Sequence, residues 1–424
     1  AMADRPAPEW AVALGRYTVE DVRQRGYDVA PLEEAQRRAE KLLRLGHAEQ
    51  ALAQAEAVLA AARLPLTRRP DWPYDEPDDA AQFLGQLPRL PLPRYNPVDY
   101  ERDVLNSWLG LTAGAALGLP LENKSRETIA REYGALRGYV TLPPATRNDD
   151  STFQVISLHA LEKYGPGLTS VQLAQEWLAL MPLGLTAEGV ALANLRQGLL
   201  PPQSALVDNP FGEWVGAAMR AEIWGLLCPG RPLAACRFAA LDAVISHRGN
   251  GIYGALFVAA LVSLAFVQRD LSDLVRAALA FVPPRSRLAA LLKRSFTWRA
   301  QCATWEAALE AYQREYAAYA VVPYSHAYVF PCLATALIAL FYGRGDLGQS
   351  LLIAASSGGD TDFAPALVGA VLGLWAGERG LPPQWRDPLG DGFDTMAIGL
   401  ERLPYDGFAG RICRLGQQLQ EEQR

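Results

Sequence analysis

Long segments rich in alanine, leucine and glycine make up most of the chain after Tyr100, and this pattern restricts the fold more than any other feature. They almost entirely lack the alternation of β-branched and polar residues that marks a strand, so almost every one is expected to be a helix. The segments are 100–117, 152–164, 169–180, 212–225, 232–246, 253–267, 272–282, 305–318, 327–341, 346–355 and 364–375. The pattern predicts an all-α fold and fits neither a doubly wound sheet nor a barrel.

The composition indicates a globular protein with a large core. Half of the 424 residues are hydrophobic, which is enough for one large domain and a smaller second one. The net charge is −6 and the chain contains no block of lysine and arginine. Both observations argue against nucleic acid as a partner.

Three features of the sequence bear on location. The longest apolar stretches, 252–267 and 327–342, are shorter than the roughly 20 residues that span a bilayer. The first residues lack a charged segment followed by an apolar run. The five cysteines have no paired spacing and are expected to be reduced thiols. We therefore expect a cytoplasmic protein without a membrane partner.

The first 95 residues differ in pattern from the rest. Residues 31–64 have apolar residues near helical spacing with a break at Gly46-His47, which predicts a helical hairpin. Residues 64–97 contain many prolines and the acidic run 75–79, which favours an irregular wrap or a linker. We predict an N-terminal extension over 1–95 and an all-α domain over 96–424.

Two short acidic clusters interrupt the apolar sequence. The first is Asn148-Asp149-Asp150-Ser151, and the second is Gly358-Gly359-Asp360-Thr361-Asp362. An isolated buried carboxylate costs on the order of several kcal/mol unless it is paired, protonated or bound to a metal. A shared metal site would bring the two clusters together. Oxygen ligands without a nearby Cys or His pair favour Mg²⁺ or Mn²⁺ over Zn²⁺.

Helix capping is the alternative interpretation of both clusters. Each cluster directly precedes a predicted helix, where Asp, Asn or Ser commonly caps the first turn. One cap needs only one side chain, however, and each cluster contains two carboxylates. The second carboxylate of each cluster favours metal binding. Both interpretations, metal binding and helix capping, stay open at this stage.

Two further elements are polar or glycine-rich. In the first, Gly110, Gly114 and Gly118 recur every four residues on one helix face, and Glu122 follows the end of that helix. The second is a polar turn between two apolar helices, at 246–254, with His247, Asn250, Gly251 and Tyr253. These side chains suit sugar hydroxyls or an adenine ring, although a lone histidine is more often structural. His326, in the polar turn 323–328, either lines a cleft or caps a helix.

These four elements together resemble the ADP-ribosylglycohydrolase family, which includes the ADP-ribosylhydrolases and the dinitrogenase-reductase-activating glycohydrolase. The order and approximate spacing of 110–122, 148–151, 246–251 and 358–363 match that family, over about 99–400. The resemblance implies a compact all-α domain with two Mg²⁺ ions, or sometimes Mn²⁺, at the base of a cleft that binds ADP-ribose.

The resemblance also implies roles for individual residues. The metal ligands would be Asn148, Asp149, Asp150, Asp360 and Asp362. The catalytic residues would be Glu122, Asp149 and Asp360. The substrate would contact Ser151, His247, Asn250, Gly251, Tyr253, Gly358 and Gly359.

The chain departs from the usual family pattern at three positions. Asn148 stands where threonine is usual, and Ala115 stands where many members have aspartate. Phe363 stands where threonine or serine usually supplies a metal ligand, and a phenyl ring cannot coordinate a cation. Phe363 therefore allows a site with one ion instead of two.

The resemblance implies a metal-dependent hydrolase that cleaves an ADP-ribosyl N- or O-glycosidic bond. Its substrate would be an ADP-ribosylated protein or a small ADP-ribosyl or N-riboside metabolite. The alternative is a catalytically weakened ADP-ribose-binding or immunity-type protein that binds a protein partner through residues 1–95.

Overall fold

The computed structural model describes residues 7–77 and 79–421, and within them the protein is almost entirely helical. The helices of the first part are α1 (Pro8–Gln24), α2 (Ala30–Arg44), α3 (Ala48–Ala62), α4 (Ala80–Leu84), α5 (Tyr100–Gly118), α6 (Arg126–Tyr133), α7 (Asp149–Tyr164), α8 (Ser170–Leu180), α9 (Thr186–Arg196), α10 (Gln203–Leu206) and α11 (Glu222–Leu227). Those of the second part are α12 (Pro232–Ala243), α13 (Gly249–Ala265), α14 (Leu271–Leu279), α15 (Arg287–Gln301), α16 (Trp305–Glu315), α17 (Val329–Gly343), α18 (Leu347–Ser356), α19 (Phe363–Leu374), α20 (Pro383–Arg386) and α21 (Tyr405–Glu421).

The strands are short. β1 (Gly392–Asp394) and β2 (Arg402–Pro404) pair antiparallel and form the two-stranded sheet of the described residues. The prediction of an all-α fold is confirmed.

Helices α5 and α19 pack with their backbones close together, and this contact positions the site. A Cβ atom at Gly110, Gly114 or Gly118 would overlap the backbone of Gly369, Pro365 or Thr361, respectively. The four-residue glycine spacing therefore permits a contact that larger side chains would prevent. The Thr361 hydroxyl donates a hydrogen bond of 2.8 Å to the Gly118 carbonyl, which holds the second acidic cluster beside the end of α5.

One large hydrophobic core extends through the helices from α5 onward. Pro97–Leu121 is long and apolar enough to span a membrane by composition, but 83% of its most apolar window is buried in this core. Its apolar character therefore follows from packing inside the protein.

The N-terminal extension has small cores of its own. The predicted hairpin is formed by α2 and α3, and Gly46-His47 lies between them. Helix α1 was not predicted, because Gly15 and four β-branched residues lower its local helix propensity. Packing stabilises α1, since its Val12 and Val19 belong to separate apolar clusters that also contain residues of α2 and α3.

The prediction of a helix over 212–225 is wrong. This segment contains turns, a 3₁₀ helix at Val215–Arg220 and only the start of α11. Gly212 and Gly216 lie against the side chains of Arg248 and Glu188, where a Cβ atom would overlap them. These close approaches fix an irregular backbone that alanine-rich composition does not reveal. The helices α6, α9, α15 and α21 were likewise not predicted.

Candidate active site

The two acidic clusters lie next to each other at the base of a cleft. Oxygen atoms of Asp149, Asp150 and Asp362 all lie within 4.8 Å of one another. Asp149 and Asp150 begin α7, whereas Asp362 immediately precedes α19. The close packing of α19 on α5 also brings Glu122, just after α5, to the same place.

The carboxylates of this cluster are buried, and their like charges repel one another. Burial, and then the charges of Asp362 and Asp149, raise the pKa of Asp150 well above its usual value. Burial, and then Asp360 and Asp149, do the same to the pKa of Asp362. Asp150 Oδ2 is buried and has no hydrogen-bond partner among the described residues. A divalent cation would neutralise the charges and ligate this oxygen, so the residues fit a metal with oxygen ligands.

Asn148 is the residue that caps α7. Its Oδ1 accepts a hydrogen bond of 3.0 Å from the Ser151 backbone N–H and another of 2.5 Å from the Ser151 hydroxyl. Capping therefore applies to Asn148, and the carboxylates of Asp149 and Asp150 are not needed for it. The predicted roles of Asn148 as a metal ligand and Ser151 as a substrate contact stay predictions.

Asp360 and Phe363 belong to the turn before α19. Asp360 Oδ1 accepts a hydrogen bond of 3.3 Å from the Phe363 N–H, and Asp360 Oδ2 accepts one of 3.6 Å from the Cys332 thiol. The Phe363 side chain is 1% exposed and packs in the main core. Its ring therefore belongs to the core and supplies no ligand.

Glu122 faces the acidic residues from the end of α5. Burial, followed by the charges of Asp362 and Asp149, raises the pKa of Glu122 to about 7. Its position is fixed by backbone pairing: the Asn123 N–H donates to the Gly359 carbonyl at 3.0 Å, and the Gly359 N–H donates to the Lys124 carbonyl at 2.9 Å. Both Gly358 and Gly359 have positive φ angles, of 77° and 86°, which suit glycine in this turn.

The cleft has two lobes on either side of Asp360. We call the first the acidic lobe; it measures about 370 Å³, and its walls include Glu122, Asp149, Asp150, Asp362, Trp10, Tyr17, Phe211 and Trp214. We call the second the tyrosine lobe; it measures about 440 Å³, and its walls include Tyr312, Tyr316, Tyr319, Lys124, Arg126, Gly358 and Gly359. Asn123, Tyr324, His326 and Asp360 line both lobes.

The polar turn at 246–254 lies outside both lobes. The Asn250 side-chain amide donates to Glu76 at 2.9 Å and to Glu213 at 2.8 Å, and the Tyr253 hydroxyl donates to the Pro77 carbonyl at 2.6 Å. Their polar atoms thus bind the N-terminal extension and the protein interior. The assignment of both residues to substrate binding stays a prediction, without a contact to the cleft.

His247 and Gly251 of the same turn are also enclosed. His247 is 1% exposed, and its Nδ1 lies 2.8 Å from the Ser246 hydroxyl oxygen. Gly251 lies so close to the Gly212 carbonyl that a Cβ atom would overlap it. Neither residue lines a lobe, and their predicted contact with substrate likewise stays a prediction.

Several lining residues were missed from the sequence. Glu188 of α9 lines the acidic lobe and accepts a hydrogen bond of 2.6 Å from the buried Arg220 guanidinium. Burial raises the pKa of Glu188 to about 7, although Arg220 acts against the shift. Trp10 and Tyr17 come from α1. His326 is different, because the sequence did give a signal for it. It lies in a polar turn, and lining a cleft was one of the two interpretations of that turn.

The protein combines an all-α fold with clustered carboxylates in a two-lobed cleft, and the comparisons place this combination in a family. Residues 96–419 match the family model described as ADP-ribosylglycohydrolase. Because the match covers most of the chain, the protein belongs to the ADP-ribosylglycohydrolase family, a family of glycohydrolases. The predicted resemblance is confirmed.

Two further comparisons show what the chain is similar to. An uncharacterised protein of Archaeoglobus fulgidus is 27% identical over 302 residues, which are 69% of this chain and 92% of that protein. A solved structure described as an ADP-ribosylglycohydrolase-related protein complex has 20% sequence identity and a TM-score of 0.52. The superposition covers 75% of this chain and 98% of the other, and at this identity it supports the fold alone.

Proposed function

We propose that the protein is a metal-dependent hydrolase that cleaves an ADP-ribosyl N- or O-glycosidic bond. The observation that carries the proposal is the convergence of Asp149, Asp150 and Asp362 to within 4.8 Å at the base of the cleft. Buried carboxylates this close repel one another unless a cation or protons neutralise them. Family membership then supplies the type of bond.

The proposed cation is Mg²⁺, with Mn²⁺ as the alternative. Asp149, Asp150 and Asp362 would hold it, and Asp360 and Asn148 complete the predicted set of oxygen ligands. When bound, such ions activate a water molecule and fix the substrate's position. The family pattern favours two ions, whereas the core position of Phe363 supports one, so the number of ions is part of the test below.

The chain's own residues would position the sugar and move protons. Cleavage at an anomeric carbon passes through an oxocarbenium-like state, which nearby negative charge stabilises. Glu122 lines the acidic lobe next to Asp149 and Asp362, and we assign it the role of general base or general acid. His326 and Asn123, between the two lobes, are suited to orient the ribose hydroxyls.

The substrate class includes ADP-ribosylated proteins and small ADP-ribosyl or N-riboside metabolites. The two lobes together suit a ligand that extends to both sides of a central ribose. We also propose a cytoplasmic location, which the five free thiols support because thiols persist in reducing compartments.

The direct test measures release of ADP-ribose from ADP-ribosylated proteins and N-ribosides with Mg²⁺, with Mn²⁺ and with a chelator. We expect release with the metal, loss with the chelator, and loss in Asp362→Asn. Metal content by elemental analysis gives the number of ions per chain. Lack of release from every substrate with both metals would contradict the hydrolase proposal.

A second candidate is an ADP-ribose-binding protein with little or no turnover, possessing a protein partner for its N-terminal extension. The buried ring of Phe363 favours it, because that position contributes no ligand. Calorimetry would then detect ADP-ribose binding, while product release stays at the background rate with either metal. Detectable turnover that depends on Asp362 rules this candidate out.

A further inference from the structure

We infer that helix α1 forms a wall of the substrate cleft and that Trp10 and Tyr17 stack on a planar ring of the substrate. The identity of the ligand rests on the proposed function. Helix α1 precedes residues 96–419, the region that matches the family, so these two side chains are an addition by this chain to the family's cleft.

Both rings lie at the acidic lobe together with the carboxylates. Trp10 and Tyr17 line the same cavity as Asp149 and Asp362. The Trp10 residue is 51% exposed, which is unusual for so large an apolar ring in a folded protein. An exposed tryptophan at a cleft is well placed to be covered by a flat ligand.

Tyr17 joins two walls of the lobe. Its ring centroid lies 5.0 Å from that of Phe211 and 5.9 Å from that of Trp214. On the other side, its hydroxyl donates a hydrogen bond of 3.1 Å to the carbonyl of Pro323, next to Tyr324. These contacts link the rings of the 211–214 segment, through α1, to the 323–324 turn, and we call this surface the aromatic wall.

Helix α1 is held in place by buried charges. Asp21 accepts a hydrogen bond from Arg248, and both side chains are 7% exposed. The Arg287 guanidinium donates to the Gln24 carbonyl at 2.7 Å. The wall is therefore formed before a ligand arrives, and binding does not have to order it.

The charges of the acidic lobe restrict which part of the ligand can bind there. Among the described residues that line the acidic lobe, none is a lysine or an arginine, whereas the tyrosine lobe has Lys124 and Arg126. A diphosphate is therefore disfavoured in the acidic lobe, and a neutral or positively charged ring is favoured. That ring is either the nucleobase or a planar leaving group on the ribose; both stack by the same chemistry.

The test compares Trp10→Ala and Tyr17→Leu with Tyr17→Phe and Leu64→Ala. Leu64 is 64% exposed, belongs to the same extension and lies outside both lobes, so its variant is the matched control. Calorimetry with Mg²⁺ measures binding of ADP-ribose and of ribose 5-phosphate, which has no ring. We expect Trp10→Ala and Tyr17→Leu to weaken ADP-ribose binding about three- to tenfold and to leave ribose 5-phosphate unchanged.

KM measurements with two substrates distinguish the nucleobase from a planar leaving group as the ring that stacks on the wall. If ADP-ribose binding is unchanged, the KM for an N-linked planar leaving group should rise by the same factor, with the KM for an O-linked serine adduct unchanged. Either result supports the inference and identifies the ring. Unchanged binding and unchanged KM for all ligands in both variants would overturn it, provided that both variants keep the wild-type melting temperature.

Failure of the proposed function can be told apart from failure of this inference. If the wild type neither binds nor cleaves any ADP-ribosyl compound, adenosine and nicotinamide riboside serve as probes of the wall alone. Binding of either probe to the wild type but not to the Trp10→Ala, Tyr17→Leu double variant supports the aromatic wall. Absence of binding to the wild type overturns it.

Discussion

Asp150 and Asp362 would bind the proposed metal ion, but their ionised carboxylates lower the stability of the protein without it. Their carboxylates are buried within 4.8 Å of each other and of Asp149. The raised pKa of each group means that the unfolded chain ionises more easily than the folded one. The protonated forms of these groups therefore stabilise the folded protein at acidic pH. This stabilisation is lost as the pH rises through their folded pKa values, because the carboxylates then ionise and repel one another.

The first prediction concerns Asp150→Asn. Removing one charge should raise the free energy of unfolding without metal at pH 7.5, because it relieves the repulsion from Asp362 and Asp149. The same variant should lose the metal-dependent increase in melting temperature and at least about 100-fold in hydrolysis. Urea unfolding with and without Mg²⁺ measures both effects. A variant less stable than the wild type without metal would contradict the repulsion that we describe.

The second prediction concerns Glu213 and acid. Burial by itself would raise the pKa of Glu213, but the Arg287 guanidinium and hydrogen bonds from Tyr328 and Asn250 outweigh it and lower the pKa to about 2. The unfolded value is about 4.3. The stabilisation is therefore present above about pH 4.3 and is lost as the pH falls from there to about 2.

Glu213→Gln should lower the free energy of unfolding at pH 7 by roughly 3 kcal/mol. Its deficit relative to the wild type should shrink as the pH falls from 4.3 to 2, as measured by urea unfolding at each pH. Glu34→Gln, on an exposed side chain, serves as the control with a change below about 0.5 kcal/mol. A deficit that is independent of pH would show that Glu213 acts through packing instead of charge.

At the level of residues, the sequence predicted the part of the site that is encoded in short motifs. Asp149, Asp150 and Asp362 stand out because carboxylates rarely occur in apolar sequence, and the structure brings them together. Trp10 and Glu188 had no such signal, since what makes them lining residues is contact with distant parts of the chain. His247 shows the converse. Its side chain is chemically suited to contact a substrate, but the neighbouring residues enclose it.

Among the secondary-structure elements, the pair α5 and α19 determines where the site forms. The two helices approach until the backbone at Gly110 meets that at Gly369, and Gly118 meets Thr361. This approach places Glu122 at the end of one helix beside Asp362 at the start of the other. Small residues at the contact are therefore needed for the site as well as for the core.

The third prediction tests this contact with Gly114→Ala. Alanine would favour the helix by about 1 kcal/mol, but its Cβ would overlap the Pro365 carbonyl, and overpacking of this kind costs typically about 1–3 kcal/mol. We expect a lower melting temperature and weaker stabilisation by Mg²⁺. Gly410→Ala in α21 is the control, because its added Cβ would meet only the ends of two flexible side chains. Equal effects of the two substitutions would contradict the proposed role of the α5–α19 contact.

Helices were predictable where a long apolar composition indicates a buried helix, as in the segments that became α13 and α17. They were not predictable where contacts override local preference. Gly212 and Gly216 approach distant side chains and break the helix expected over 212–225. Helix α1 is the reverse case, in which packing stabilises a helix of modest local propensity.

For the molecule as a whole, the N-terminal extension and the family domain are joined by buried ion pairs. Asp21 pairs with Arg248, and Glu76 pairs with Arg287 at 2.7 Å. All four side chains are less than 10% exposed. Removing one member of such a pair leaves a buried charge without its partner and costs about 3–5 kcal/mol. The extension is therefore part of the folded unit in this structure.

The fourth prediction is that deletion of residues 1–95 prevents stable folding. Buried Arg248 would lose Asp21, and buried Arg287 would lose Glu76 although it keeps Glu213. A lost partner of this kind costs about 3–5 kcal/mol, a large part of the 5–15 kcal/mol that typically separates folded from unfolded proteins. Circular dichroism and size-exclusion chromatography should show an unfolded or aggregated chain. Asp21→Asn should give a folded protein with a lower melting temperature. A truncated chain that is folded and active would instead support an independent, partner-binding extension.

The pairing of Asp21 with Arg248 also constrains how the protein is made. The two residues are 227 positions apart. At about 5–20 residues per second, a ribosome needs roughly 11–45 seconds to pass from one to the other. During that interval α1 can pack on α2 and α3, and Asp21 can pair with nearby Arg25 but not yet with Arg248. Helix α1, which contributes Trp10 and Tyr17 to the aromatic wall, is therefore synthesised early and docked late, so translation speed sets how long it stays uncovered.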